Sequence, residues 1–139
     1  MMEGVLDCSV ALAWVLPDET SARADKFLAH LSPQSVLYVP ALWWYEISNA
    51  LTMAQRRHRL AESESKRVVE IYSTLPIKTD VDLSLDVVRR IQALAREYSL
   101  SAYDAAYLEL AERRNVGLAT LDRRLTAAAR KAGVKILSA

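Results

Sequence analysis

The stretch GVLDCSVALAW, residues 4–14, decides the fold that this chain is expected to adopt. Val5 and Leu6 form a short apolar run typical of a strand, and after Asp7 the apolar spacing changes to that of a short buried helix. Asp7 therefore lies where a strand turns into a helix, which in an α/β protein is the ligand-binding edge of the sheet. Taken alone, Asp7 is better explained as the N-cap of that helix. A functional role requires further acids at the same edge.

Length and composition indicate a single globular domain spanning residues 1–139, with 52% hydrophobic and 25% charged residues. The single cysteine, Cys8, excludes an internal disulfide and fits a reducing compartment. The longest strongly apolar run, residues 10–16, is too short to cross a bilayer, and the N-terminus lacks the basic region of a signal peptide. We therefore expect a cytoplasmic protein with no membrane contact.

The net charge of +1 gives no global attraction to nucleic acid. The chain has only three glycines, Gly4, Gly117 and Gly133, and they are too far apart to form a glycine-rich phosphate loop or a dinucleotide fingerprint. The sequence therefore argues against ATPases, GTPases and Rossmann dehydrogenases.

Strand-like and helical patterns alternate along the chain. Strands are predicted at residues 5–6, 36–39, 77–81, 116–119 and 134–137. This alternation predicts an α/β fold with a mostly parallel sheet and helices on both faces. In such a sheet every strand-to-helix turn lies on one edge.

Four acids are expected at or near that edge. Asp7 and Asp122 directly follow strands, and Asp104 begins a helix. Glu46 lies within the apolar face of a long helix, within two turns of a strand. Each acid has a simpler alternative: Asp122 suits an N-cap, Asp104 has capping-box spacing from Ser101, and Glu46 could point outward.

A cluster of carboxylates requires a cation or protons. Two carboxylates 4 Å apart repel by about 4 kcal/mol at an effective dielectric constant of 20. Several hard oxygen ligands select Mg²⁺ or Mn²⁺ over zinc. Zinc is disfavoured further because Cys8, His30 and His58 lack zinc-ligand spacing.

Four segments carry a resemblance to a known family. They are DCSV at 7–10 with WVL at 14–16, EISNAL at 46–51, LSAYDAAY at 100–107 and TLD at 120–122. Together they resemble the PIN domain and, more narrowly, the VapC-type toxin ribonucleases of toxin–antitoxin pairs. The resemblance covers essentially the whole chain.

The resemblance implies a three-layer α/β/α domain that acts as a metal-dependent endoribonuclease with Mg²⁺ or Mn²⁺ as cofactor. It implies that the catalytic and metal-binding acids are Asp7, Glu46, Asp104 and Asp122. Polar companions of the site are Ser9, Asn49 and Thr120. Cys8 stands where family members often have alanine, and Arg123 and Arg124 stand where some carry another acid, so the number of metal ions stays open.

The resemblance also implies partners: an RNA substrate, a cognate VapB-like antitoxin, and a homodimer that can form a higher assembly with the antitoxin. Trp43, Trp44 and Tyr45 are more aromatics than one helix face buries, which favours contact of the helices in residues 40–75 with another chain. The alternative is that all three fill the core.

Two basic clusters are candidates for holding RNA phosphates. They consist of Arg56, Arg57, Arg59, Arg123 and Arg124. A charge run is usually a solvated helix face, which is the alternative here.

Other functions fit the sequence less well. A haloacid-dehalogenase-like phosphatase also begins with an acid after a first strand, but it needs a second Asp two residues later, where this chain has Ser9. A non-catalytic PIN-like module that only binds a partner is the alternative of a different class, and retention of all four acids counts against it. A Ser-His-Asp hydrolase lacks a suitably placed histidine.

Overall fold

The computed structural model describes residues 2–138, which form seven α-helices around a four-stranded sheet. The strands are β1 (Glu3–Leu6), β2 (Val36–Pro40), β3 (Ile77–Asp80) and β4 (Gly117–Ala119). The helices are α1 (Cys8–Ala13), α2 (Ala22–Ala29), α3 (Ala41–Arg56), α4 (Glu62–Ser73), α5 (Leu85–Tyr98), α6 (Ala102–Arg114) and α7 (Arg123–Lys131). A short 3-10 turn, Pro17–Glu19, follows α1.

The sheet has the order β3-β2-β1-β4, and every pair is parallel. Leu6 is in register with Ala119 of β4, and Pro40 of β2 is in register with Asp80 of β3. The predicted three-layer α/β/α architecture with a parallel sheet is confirmed. Because the strands run in one direction, the turns after β1 and β4 lie side by side at the same edge.

The prediction of a last strand at residues 134–137 is wrong, because this segment forms no regular strand. The segment nevertheless lies beside β4, where that strand would pair. An isolated parallel bridge joins Leu118 to Ile136, and the Leu137 N–H donates to the Leu118 carbonyl at 2.8 Å. Leu137 packs against Gly117, where an added Cβ would lie 2.7 Å from Leu137 Cδ2. This glycine therefore allows the tail to pack along β4.

The three consecutive aromatics on α3 differ in how far they are buried. Trp43 is fully buried and packs edge-on against Tyr72, with ring centroids 5.3 Å apart. Trp44 is half-buried, and its Nε1–H donates to Thr79 Oγ1 at 2.8 Å. Tyr45 is 76% exposed. The core therefore takes two of the three rings.

A buried ionic cluster joins α6 to the end of β3. Arg113 Nη1 lies 2.9 Å from Asp80 Oδ2, and Arg113 Nε lies 2.9 Å from Glu109 Oε2. The carboxylate side chains of Asp80 and Glu109 are only 3% and 2% exposed. Arg114 also contacts Asp80 at 2.9 Å, and its guanidinium stacks 4.4 Å from the centre of the Tyr38 ring.

Among residues 2–138, no helix combines the length and apolar character that a bilayer crossing requires.

Candidate functional site

Asp7 occupies the turn between β1 and α1. Its N–H donates to the Ala119 carbonyl at 2.9 Å, which extends the β1–β4 pairing by one residue. Asp7 has the position and extended backbone of an N-cap, but its side chain makes no capping hydrogen bond. Instead, Oδ2 accepts hydrogen bonds from Ser9 Oγ at 2.6 Å and Thr120 Oγ1 at 2.8 Å. The N-cap explanation of the Asp7 carboxylate is therefore wrong.

The same two hydroxyls join the β1–α1 turn to the β4–α7 turn. Ser9 Oγ accepts the Leu121 N–H at 2.9 Å, and Thr120 Oγ1 accepts the Asp122 N–H at 3.1 Å. Each hydroxyl thus donates to Asp7 and accepts a backbone N–H of the β4–α7 turn. The fold thus brings Ser9 and Thr120, the expected polar companions, into contact with Asp7.

Ser138 supports Thr120 from the tail and is a residue that sequence reasoning missed. Its Oγ accepts the Thr120 N–H at 2.9 Å and donates to the Thr120 carbonyl at 2.7 Å. Ser138 is 2% exposed. Its position in the sequence could have indicated this role. Ser138 is a polar residue directly after the predicted last strand, and hence at the edge of the sheet where β4 also ends.

Ser138→Ala should lower the free energy of unfolding by about 1–3 kcal/mol, because the buried backbone of Thr120 loses both partners. Urea denaturation measures this change. Ser48→Ala is the control, since Ser48 Oγ also donates to a backbone carbonyl, that of Trp44, but on an exposed helix face. Equal effects of the two substitutions would contradict the supporting role of Ser138.

Glu46 is turned toward the site and is half-buried on α3. Tyr107 Oη donates to its Oε1 at 2.5 Å. Burial raises the pKa of Glu46, the Tyr107 hydrogen bond opposes this shift, and the charges of Asp7 and Asp104 raise the pKa further. Glu46 is therefore a neighbour of the other acids. Sequence reasoning missed Tyr107, which reads as an apolar core position.

Asp104 and Asp122 differ in their surroundings. Asp104 is partly buried in the first turn of α6, where Ser101 Oγ accepts its N–H at 3.1 Å. Burial raises the pKa of Asp104, and the charges of Asp122 and Asp7 add to the shift. Asp122 is exposed and caps α7, because its Oδ1 accepts the Leu125 N–H at 2.9 Å. The N-cap explanation of Asp122 is thus confirmed.

The four acids come from four parts of the fold, and the charges of Asp7, Asp104 and Asp122 act on others among them. Burial raises the pKa of Asp7 despite its hydrogen bonds to Ser9 and Thr120, and the charge of Asp122 contributes. Within residues 2–138, no three side chains of His, Cys, Asp or Glu form a ready-made metal cluster. The donor set of Asp7, Glu46, Asp104 and Asp122 is all oxygen, which fits a hard divalent cation.

The remaining candidates lie at different distances from the acids. Asn49 is exposed on α3. Arg56 and Arg57 are exposed at the end of α3, about 15 Å along the helix from Glu46 at 1.5 Å per residue. Arg59 forms an ion pair with Asp18.

On α7, Arg123 and Arg124 are both exposed at the start of the helix. The charge of Arg124 lowers the pKa of Asp104, against the larger effects of burial and neighbouring acids. Arg124 is therefore the candidate cation that the fold brings to the acidic site.

Known proteins share the sequence pattern and the fold of this chain. The PIN domain family matches residues 4–131. The chain is 32% identical over 124 residues to Ribonuclease VapC3 of Pyrobaculum aerophilum, which covers 89% of this chain and 92% of that protein. The crystal structure of PAE2754 from Pyrobaculum aerophilum superposes with a TM-score of 0.65 and 28% identity, covering 98% of this chain and 90% of that one.

A toxin–antitoxin complex from Klebsiella pneumoniae shares the fold, with a TM-score of 0.65, 22% identity, and coverage of 96% and 97% of the two chains. The family match includes every acid of the site and spans all four strands. The chain therefore belongs to the PIN-domain family.

Proposed function

We propose that this protein is a metal-dependent endoribonuclease and the toxin of a toxin–antitoxin pair. The observation that carries the proposal is the convergence of Asp7, Glu46, Asp104 and Asp122 on one edge of the sheet, with raised pKa values at the first three. Membership of the PIN family and a relative named as a ribonuclease support the same activity.

Asp7, Glu46, Asp104 and Asp122 would hold the cofactor, which we propose to be Mg²⁺ or Mn²⁺. A bound divalent cation supplies a Lewis acid that activates water and offsets negative charge on the scissile phosphate. Ser9 and Thr120 both donate to Asp7 Oδ2, which leaves Oδ1 clear of these two bonds. The two hydroxyls thereby fix the direction of the Asp7 carboxylate.

The side chains near Asp7 favour water over a protein nucleophile. The Ser9 hydroxyl is committed to a carboxylate. Burial above all raises the pKa of the Cys8 thiol far above its ordinary value, so the thiolate does not form at neutral pH. In-line attack by water leaves a 5′-phosphate and a 3′-hydroxyl on the RNA products.

The two alternatives are less well supported. The phosphatase alternative lacks its second acid, because Ser9 occupies that position and is bonded to Asp7. A module that only binds a partner has no need for acids placed so that neighbouring carboxylates help to raise the pKa values of Asp7, Glu46 and Asp104. Metal-dependent cleavage of RNA separates both from the proposal.

The purified protein should cleave a structured RNA only when Mg²⁺ or Mn²⁺ is present, and EDTA should stop the reaction. Gel analysis of a 5′-labelled RNA measures cleavage, and sensitivity of the products to a 5′-phosphate-dependent exonuclease identifies their ends. Asp7→Asn protein prepared in parallel controls for contaminating nucleases. Full cleavage in EDTA that survives repurification would contradict the metal mechanism.

We propose that RNA runs past the start of α7. Arg124 and Lys131 lie one above the other on α7 and line a cleft of about 620 Å³ together with Tyr98 and Ser99. Arg124 beside Asp104 and Lys131, about 10 Å further along α7, can bind phosphates next to the scissile one, although Glu97 also lines the cleft.

The double substitution Arg123→Gln and Arg124→Gln should weaken RNA binding and reduce the slope of log K against log salt by about one to two. Fluorescence anisotropy of a labelled RNA, bound by the cleavage-deficient Asp7→Asn protein, measures the slope. Arg56→Gln with Arg57→Gln removes the same charge at the far end of α3 and should have a smaller effect. An unchanged slope for the α7 pair would assign these residues to a solvated surface.

The proposed partners follow from the resemblance and the fold. Helices α3 and α4 expose Tyr45, Val69 and Ile71, which fits the contact with another chain expected for residues 40–75. We propose a VapB-like antitoxin as one partner, supported by a fold shared with a toxin–antitoxin complex. The homodimer, and its higher assembly with the antitoxin, stay predictions.

A further inference from the structure

We propose that Tyr107 is a positioning residue that holds Glu46 toward the acid cluster and thereby sets the affinity of the site for its metal. The proposal rests on the metal-dependent function proposed above. Its central observation is a hydrogen bond of 2.5 Å from Tyr107 Oη to Glu46 Oε1. Tyr107 is 1% exposed, so the donor end of this bond is shielded from water.

Tyr107 connects three of the elements that carry the acids. It lies three residues after Asp104 on α6, which is about one helical turn. Its hydroxyl also lies 3.4 Å from Cys8 Sγ, and Cys8 directly follows Asp7. The phenol thus joins α1, α3 and α6 at the site.

Glu46 requires a hydrogen-bond donor to keep its carboxylate beside the other acids. Its side chain is long and only half-buried, and the charges of Asp7 and Asp104 oppose its approach. Without a donor on the inner side, rotation into solvent lowers both this repulsion and the loss of side-chain entropy. The Tyr107 bond occupies Oε1 and leaves Oε2 available to a cation.

A second buried tyrosine shows what a purely structural hydroxyl does in this fold. Tyr72 is also 1% exposed, and its Oη donates at 2.8 Å to the Ala11 carbonyl rather than to an acid. Removing the Tyr72 hydroxyl deletes one buried hydrogen bond, and removing the Tyr107 hydroxyl deletes the bond to Glu46 and the contact with Cys8. Only removal of the Tyr107 hydroxyl frees a proposed metal ligand, so the pair makes a matched comparison.

The experiment measures Mn²⁺ binding directly, from the electron paramagnetic resonance signal of free Mn²⁺, with no RNA present. Tyr107→Phe should raise the dissociation constant by about 10–100-fold, as loss of an outer partner of a metal ligand typically does. Tyr72→Phe should leave the constant unchanged, although urea denaturation should show that both variants lose stability. Tyr107→Met gives the same comparison should Tyr107→Phe not fold.

The Glu46→Gln background tests whether Tyr107 acts through Glu46. There, Tyr107→Phe should cause no further loss of Mn²⁺ affinity. Unchanged affinity in Tyr107→Phe, equal losses in Tyr107→Phe and Tyr72→Phe, or an additive loss in Glu46→Gln would each overturn the positioning role while leaving the metal site intact. Absence of Mn²⁺ binding by the wild type, or binding that survives Asp7→Asn, would instead overturn the proposed site itself and the positioning role with it.

Discussion

Asp7→Asn is expected to abolish RNA cleavage while making the metal-free protein more stable. Asparagine keeps the shape of the side chain and an oxygen that accepts from Ser9 and Thr120, but it removes a buried charge that lies near Asp122. Relief of this like-charge crowding should raise the free energy of unfolding in EDTA by roughly 1 kcal/mol.

Addition of Mn²⁺ should make the wild type more stable than Asp7→Asn. At a free Mn²⁺ concentration 100 times the dissociation constant, the wild type gains about 2.7 kcal/mol, and the variant gains little because its site is broken. Thermal melting with and without Mn²⁺ measures the crossing. Asp25→Asn, in the first turn of α2, is the control and should behave as the wild type does. Normal cleavage and a normal Mn²⁺ response in Asp7→Asn would show that Asp7 is not a ligand.

The stability difference between the metal-free wild type and Asp7→Asn should shrink as the pH falls. The pKa of Asp7 is raised above its ordinary value of 3.8, mainly by burial, so the folded state binds this proton more tightly than the unfolded chain. The wild type therefore gains stability relative to Asp7→Asn as pH falls from neutral through the raised pKa, and the gain is complete below 3.8. Melting in EDTA between neutral and acid pH measures this convergence.

Arg113→Met should destabilise the protein by about 3–5 kcal/mol at neutral pH, since it leaves buried carboxylates without their shared cation. Arg114 still contacts Asp80 and Arg90 still contacts Glu109, so we expect the lower end of this range. Urea denaturation measures the loss. Arg89→Met is the control, because Arg89 pairs with Asp86 on an exposed face, where such pairs contribute at most about 1 kcal/mol. Similar losses in the two variants would contradict a structural role for the cluster.

Acid should reduce the deficit of Arg113→Met. Burial alone would raise the pKa of Asp80, but the bonds from Arg113 and Arg114 outweigh it and hold the pKa below 3.8. The bonds to ionised Asp80 therefore stabilise the wild type fully above pH 3.8, and this stabilisation is lost as the pH falls through the lowered pKa of Asp80. Without Arg113, burial raises the pKa of Asp80 with less opposition, so Asp80 takes up a proton at higher pH. The free energies of unfolding of the two proteins therefore converge in acid.

Local patterns in the sequence predicted most of what local interactions decide. The change of period at Asp7 marks a real strand-to-helix turn, and the cap at Asp122 follows from its position before α7. The same patterns could not distinguish the Asp7 carboxylate from a cap, because its partner Thr120 is 113 residues away. Only the tertiary fold places that hydroxyl where it competes with the helix N-terminus.

What the sequence did not predict depends on contacts between distant residues. Tyr107 falls in an apolar row, and nothing local shows that its hydroxyl meets Glu46, 61 residues earlier. The bonds from Arg113 to Asp80 span 33 residues, and a charged pair at the end of a helix ordinarily reads as solvated surface. The order of the strands, with β1 between β2 and β4, likewise depends on which apolar faces pack together.

The dispersal of the acids over the chain bears on how the protein is made. Asp7 is synthesised well before its partner Thr120 and the capping acid Asp122, which follow 113 and 115 residues later, and Ser138 is synthesised later still. A nascent chain, or a fragment cut anywhere before β4, keeps Ser9 beside Asp7 but has neither the Thr120 donor nor Asp122. The site therefore forms only after synthesis has passed α7, so a nuclease that depends on it is inactive until then.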